Sequence, residues 1–197
     1  MKRKEPNQTG MLVVTGTPGT GKTAIAKSLA RQIHANYLSL TALVKDERLY
    51  TMVDPQRQTR VVDMRRTREW LRKSLKWSKA LTVLDTHLSD VAPRGCVGKV
   101  IVLRCHPRVL EKRLRSRGWK RVKVRENVLA EILDSCYILA SKYYGPGRVF
   151  QVDTSRTGLR NSVKECKAIL GERCRVGCMI DWISVLDHER ILTRYLS

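Results

Sequence analysis

Residues 11–15 (Met-Leu-Val-Val-Thr) are apolar or β-branched without a break, as in a strand buried on both faces. The apolar positions of 24–33 then recur at helical spacing, so strand, Gly-rich turn and helix follow one another. Next come a short strand over 36–40, a helix over 41–50 and an irregular segment over 51–60 around Asp54-Pro55. A basic helix covers 67–79, with Trp70, Leu71, Leu75 and Trp77 among its apolar residues. Two further continuous apolar runs, 80–85 and 99–104, read as buried strands. Pro107 opens a helix through 116, a second spans 126–143, a last strand covers 148–152 and a helix covers 159–170. Strands alternating with helices predict a doubly wound α/β domain with a central parallel sheet, helices on both faces and right-handed crossovers. Beyond Gly171 the spacing of Ile180, Ile183, Leu186, Ile191 and Leu192 predicts a helical extension. The expected organisation is therefore a basic tail (1–9), a domain (10–171) and a C-terminal helical extension (172–197).

Length and composition fit that picture. A chain of 197 residues with 42% hydrophobic and 29% charged residues buries one core and excludes fibrous or wholly disordered classes. Its apolar runs fall far short of the roughly 20 residues a membrane helix needs. The basic start leads into a strand and not into an apolar signal region, so a cytoplasmic setting is expected. Six cysteines lack the rhythm of a disulfide scaffold, and Cys174 and Cys178 form a CxxxC with no second ligand pair at zinc spacing, so they read as structural thiols.

Charge changes the picture more. Thirty-nine Lys and Arg against 18 Asp and Glu give +21, an excess that points to a polyanionic partner, RNA above all, with a basic composition general to the source organism as the alternative. Residues 57–79 and 104–125 together hold 19 of those cations against three acids. Trp70, Trp77 and Trp119 lie in these stretches. Helical spacing sets Trp70 and Trp77 toward the core and leaves base stacking as the other use of the rings.

Gly16-Thr17-Pro18-Gly19-Thr20-Gly21-Lys22-Thr23 fits GxxxxGK[ST] between strand and helix. Its backbone N–H groups and the helix N-terminus face phosphates, Lys22 reaches the outer phosphate oxygens, and the Thr23 hydroxyl is a Mg²⁺ ligand. The expected cofactors are ATP and Mg²⁺. The strand over 80–85 ends in Asp85, a carboxylate on the metal side of such a loop. His87, two residues later, is a candidate for positioning water or the acceptor, against the commoner role of a structural histidine. Arg117, beside Gly118, and Arg113, one turn earlier on the same face, are candidates to close over the transferred phosphoryl group.

The P-loop, Asp85-Thr86-His87, the strand ending in Arg104, Arg113-Leu114-Arg115-Ser116-Arg117-Gly118-Trp119, Glu126-Asn127 and Glu131-Ile132 together resemble adenylate kinase isoenzyme 6 in an archaeal form. The resemblance covers roughly residues 10–170. It implies a nucleoside monophosphate kinase-like fold and an adenylate kinase and ATPase of small ribosomal subunit maturation. ATP would be bound by Gly19, Gly21, Lys22, Thr23, Ala24 and Arg117. AMP would be the acceptor in a segment over 39–62, with a lid over 116–126. It further implies a ribosomal protein of the small-subunit platform as partner on the AMP side. The chain departs from the family where Gln56, Arg57, Gln58, Thr59, Arg60 and Met64-Arg65-Arg66 replace acidic stretches. Two alternatives stay open: an RNA- or ribosome-binding assembly ATPase with incidental kinase activity, and another small-molecule P-loop kinase.

Overall fold

The computed structural model describes residues 10–54, 59–77, 80–171 and 179–196. The basic tail, Pro55 to Arg57 with Gln58, and the Cys174/Cys178 pair lie outside the described residues. The chain begins β1 (Met11–Gly16), α1 (Lys22–Gln32), β2 (Asn36–Ser39), α2 (Leu40–Asp46), β3 (Tyr50–Asp54), β4 (Thr59–Val62) and α3 (Met64–Trp77). It continues β5 (Thr82–Asp85), β6 (Val97–Arg104), α4 (Pro107–Arg115), α5 (Arg121–Ile132), α6 (Ser135–Tyr144), β7 (Val149–Asp153) and α7 (Leu159–Leu170). Two short helices, α8 (Trp182–His188) and α9 (Thr193–Leu196), close it.

Five strands form one parallel sheet in the order β2-β5-β1-β6-β7. Side-chain alternation along β1 explains the layering. Met11 and Val13 face a core shared with Leu40, Leu43 and Val44 of α2, Leu71 of α3 and Ala140 of α6. Leu12 and Val14 face the opposite core, with Ile25, Ala26 and Leu29 of α1 and Val163, Cys166 and Ile169 of α7. Trp70 packs against the first core, as its helical spacing indicates. A third cluster joins Leu110 and Leu114 of α4 to Val124, Val128 and Ile132 of α5 and to Leu186 and Tyr195 of the C-terminal helices. Among the described residues no helix is long and apolar enough to cross a membrane.

Four sequence expectations need correction. The segment expected to be irregular over 51–60 contributes to an antiparallel hairpin, β3 with β4, whose register shifts once between Tyr50 and Met52. Its strands lack clean alternation because Met52, Val53 and Val61 are all exposed. The helix expected over 41–50 stops at Asp46, and Arg48 at φ 51° turns the chain into the hairpin. The basic helix starts at Met64 and not at 67, because Asp63 accepts from the Arg66 N–H (3.0 Å) and so caps it. The single helix expected over 126–143 is two: α5 begins at Arg121, inside the expected lid, and the chain breaks at Asp134, φ 52°. Asp134 bonds the Arg104 guanidinium there, which holds the break in place.

Candidate active site

β1 lies between β5 and β6, whose connections leave it in opposite directions, and its carboxyl end is therefore the switch point at which α/β sheets bind ligands. The P-loop occupies that position. Gly19 has φ 99°, and a Cβ there would lie 2.7 Å from Leu110 Cδ1, so α4 rests directly on the loop.

Thr17 organises the loop. Its carbonyl accepts from Lys22 Nζ (3.1 Å), Thr20 Oγ1 (2.9 Å) and the Thr20 N–H (3.3 Å), while its hydroxyl donates to Glu131 Oε2 at 2.5 Å. Burial lowers the Lys22 pKa from the ordinary lysine value, and the nearby Asp85 and Glu131 carboxylates oppose that shift. The Thr23 hydroxyl donates to Asp85 Oδ2 at 2.7 Å, and the Tyr37 hydroxyl reaches the same oxygen at 3.0 Å. Burial and the Asp85 charge push the Tyr37 phenol up to about 12. Lys22, Thr23 and Asp85 are thus brought together from residues 62 apart in sequence for the Thr23–Asp85 bond.

Threonine hydroxyl and carboxylate side by side are hard oxygen donors suited to Mg²⁺, which favours one or two protein ligands completed by water and phosphate. No group of three or more His, Cys, Asp or Glu that could hold a metal occurs among the described residues.

Gly19, Thr20, Gly21, Ala24, Arg113, Arg117 and Thr154 line a cleft of about 160 Å³ beside the loop. Arg113 is fixed by donating to the Thr154 carbonyl (2.8 Å), whereas Arg117 is exposed at the C-terminal end of α4. Gly118 at φ 74° ends that helix: its N–H bonds the Arg115 carbonyl (2.9 Å) and the Trp119 N–H bonds the Leu114 carbonyl (3.3 Å). That turn also holds the Arg117 backbone, whose N–H bonds the Leu114 carbonyl at 3.2 Å. His87 lies beyond β5 with an exposed edge and no hydrogen bond to a described residue; loss of water around the ring, then the Lys22 charge, lower its pKa. The segment over 39–62 comprises α2 and the β3–β4 hairpin.

Sequence reasoning assigns no role to Tyr37, Thr154 or Glu131. For Glu131 a signal existed: it follows Val124 and Val128 at i+7 and i+3 on the buried face of α5. A carboxylate placed there demands partners. It finds Arg104 Nε at 2.8 Å, the Cys105 N–H at 3.0 Å and Trp182 Nε1 at 3.0 Å, all on Oε1.

A phosphate-cradling loop at the sheet's switch point, with an arginine-bearing helix laid over it, defines a P-loop kinase of the nucleoside monophosphate kinase-like fold. Residues 12–134 match a family described as an AAA domain. A protein of Methanocaldococcus jannaschii named "Putative adenylate kinase" is 36% identical over 87% of this chain and 92% of its own. One of the same name from Pyrococcus abyssi is 35% identical over 90% and 93%. Shikimate kinase from Bacteroides thetaiotaomicron shares the fold at TM-score 0.56 and 17% identity, over 82% of this chain and 98% of that one. The YorR protein of Bacillus subtilis does so at 0.54 and 13%, over 91% and 98%. The chain belongs to the family of these archaeal adenylate kinase-like proteins and is a phosphotransferase.

Proposed function

We propose that the chain transfers the γ-phosphoryl group of ATP to AMP, giving two ADP, with an intrinsic ATPase activity when water replaces the acceptor. The observation that carries this reading is the 2.7 Å Thr23–Asp85 bond directly under the P-loop, which presets an oxygen-donor pair where a nucleotide's outer phosphates would lie. Thr23 and Asp85 are the residues that would hold Mg²⁺. When bound, the ion neutralises charge on the β- and γ-phosphates. Lys22 leaves the Thr17 carbonyl for the phosphate oxygens, a move that exchanges one hydrogen bond for a charge-assisted one. Gly19, Gly21 and Ala24 supply the cradle. Arg113 of α4 and Arg117 of the turn after it close over the site and compensate charge on the phosphoryl group as it passes. An AMP phosphate oxygen forms the new P–O bond as the bond to the leaving ADP oxygen breaks. His87, neutral to a lower pH than a free histidine, orients the attacking oxygen. Initial rates of ADP formation with AMP, CMP, GMP, UMP and shikimate test the acceptor: AMP should be preferred, and equal rates with another acceptor would make this a different small-molecule kinase.

A second reading, adenylate kinase isoenzyme 6-like action in small-subunit maturation, is favoured by how α4 and the turn after it divide their cations. Arg113 and Arg117 line the nucleotide cleft, while Arg108, Lys112 and Arg115 line the recesses toward α5 and α9. With Arg121, Arg125 and Arg194 they surround a cavity of about 410 Å³ and an adjoining recess, against the one acid Glu111. A bound nucleotide cannot use cations on that side. An RNA strand can, and a small-subunit ribosomal protein would take the hairpin side, where Met52, Val53 and Val61 are exposed. RNA affinity measured against salt tests this reading, with a steep fall expected. Reversing Arg65, Arg66, Arg72 and Lys76 of α3 separates that helix's share from that of the α4–α5 groove. If both surfaces can be reversed without loss, the charge belongs to general composition.

A further inference from the structure

Glu131 stands between the P-loop and the C-terminal helices. Each of its oxygens is committed to one side: Oε2 takes the Thr17 hydroxyl at 2.5 Å, and Oε1 takes Trp182 Nε1 at 3.0 Å together with Arg104 and the Cys105 N–H. Glu131 is buried, 2% exposed, and four donors reach its carboxylate. Thr17 in turn holds Lys22 through its carbonyl. An unbroken hydrogen-bonded path therefore runs Trp182–Glu131–Thr17–Lys22, from a helix near the chain's end to the phosphate-binding lysine.

The outer end of that path lies in the two short C-terminal helices, which pack on α4 and α5 through the third core cluster. Trp182 is buried, packs edge-on against His106 with ring centroids 5.3 Å apart, and lies under the Arg104 guanidinium. Asp181 caps α8 by accepting from the Ile183 and Ser184 N–H groups. Leu186 and Tyr195 enter the third core cluster, Ile191 and Leu192 pack against it, and partly exposed polar contacts add to these. His106 Nε2 meets Glu189 at 3.2 Å, and Arg194 meets Glu111 at 3.2 Å. Whatever displaces α8 withdraws one donor from Glu131 without touching the P-loop itself.

We propose that Glu131 is a positioning residue for the P-loop and that α8, through the Trp182 indole N–H, sets the affinity of that loop for ATP. The proposal rests on the reading of the P-loop as the nucleotide site. Loss of the indole donor lets the carboxylate rotate toward Arg104 and Cys105, freeing the Thr17 hydroxyl. The Thr17 carbonyl then no longer presents Lys22 and the loop N–H groups in one arrangement. Those groups contact ATP in the ground state as well as during transfer, so KM for ATP rises and kcat changes little.

The test uses the full chain with Trp182→Phe, which keeps the apolar ring and removes the N–H, alongside Glu131→Gln and Thr17→Val. Affinity for a non-hydrolysable ATP analogue with Mg²⁺, KM and kcat for ATP, and Tm are measured for each. A hydrogen bond to a charged group supports a weakening of roughly ten-fold in ATP affinity for Trp182→Phe. The Trp182→Phe/Thr17→Val double variant should bind no more weakly than Thr17→Val alone, because the path is already cut. Unchanged ATP affinity in Trp182→Phe, or effects that simply multiply in the double variant, would overturn the proposal and leave Trp182 a packing residue whose loss lowers Tm only. Should Glu131→Gln fail to fold, the Trp182→Phe result and the double variant still decide. A wild-type chain that does not bind the analogue would instead overturn the nucleotide reading on which the proposal stands.

Discussion

The two ends of the proposed reaction are built differently. On the donor side, Lys22 and Thr23 open α1 beyond β1, Asp85 ends β5, and each makes a hydrogen bond within the site. On the proposed acceptor side, β3 and β4 pair with each other, apart from the five-stranded sheet, and their apolar residues Met52, Val53 and Val61 are exposed. The contrast teaches that the phosphate site is preorganised by the five-stranded sheet, while the proposed acceptor segment stands outside that sheet. Substitutions on the donor side should therefore cost far more than those on the hairpin.

The largest effect is expected for Lys22→Ala, which should cut ATP turnover by roughly 10²–10³-fold, the cost of removing one preorganised charge-stabilising donor, with circular dichroism unchanged. Turnover within a few-fold of wild type would break the comparison at its stronger end. Asp85→Asn comes next: it keeps the shape beside Thr23 and Tyr37 but removes the charge, and activity should fall by about 10–100-fold with a raised Mg²⁺ requirement. Titrating the variant with Mg²⁺ reads this directly, and an unshifted requirement would take Asp85 off the metal side.

Smaller effects belong to the hairpin. Exchanging Met52, Val53 and Val61 for serine should move stability by no more than about 0.5 kcal/mol each, since none is buried. It should raise KM for AMP a few-fold and leave ATP affinity alone. Equal changes in both KM values would show that the hairpin supports the whole site. The smallest effect concerns pH. Desolvation and Lys22 hold the His87 pKa below its ordinary value, so the unfolded chain binds the proton more readily. The folded state therefore keeps its stability above about pH 6.5 and loses some as pH falls from there toward the folded pKa. His87→Gln should flatten that part of the Tm–pH curve, and an NMR titration should place the wild-type imidazole below about 6.5.

How much of this could be read in the sequence follows the same division. The P-loop was legible because its chemistry is contiguous, and the buried strands were legible because a sheet covered on both faces writes unbroken apolar runs. Asp85 followed from its place at the end of such a run. The hairpin was not legible: its strands are short, interrupted in register and exposed, so neither periodicity appears in 51–62. The break between α5 and α6 depends on Asp134 in a left-handed conformation bonded to Arg104, 30 residues away. Glu131 depends on a partner 114 residues away at Thr17, a pairing no local pattern records. Its position on the apolar face of α5 was the visible half of that signal.

The central claim is that AMP receives the phosphoryl group. Following the label from ATP carrying a radioactive γ-phosphate tests it most directly. The account predicts labelled ADP formed only when AMP is present, one labelled ADP for each ATP consumed beyond background hydrolysis. Label released as inorganic phosphate at the same rate with and without AMP, and none in ADP, would contradict it.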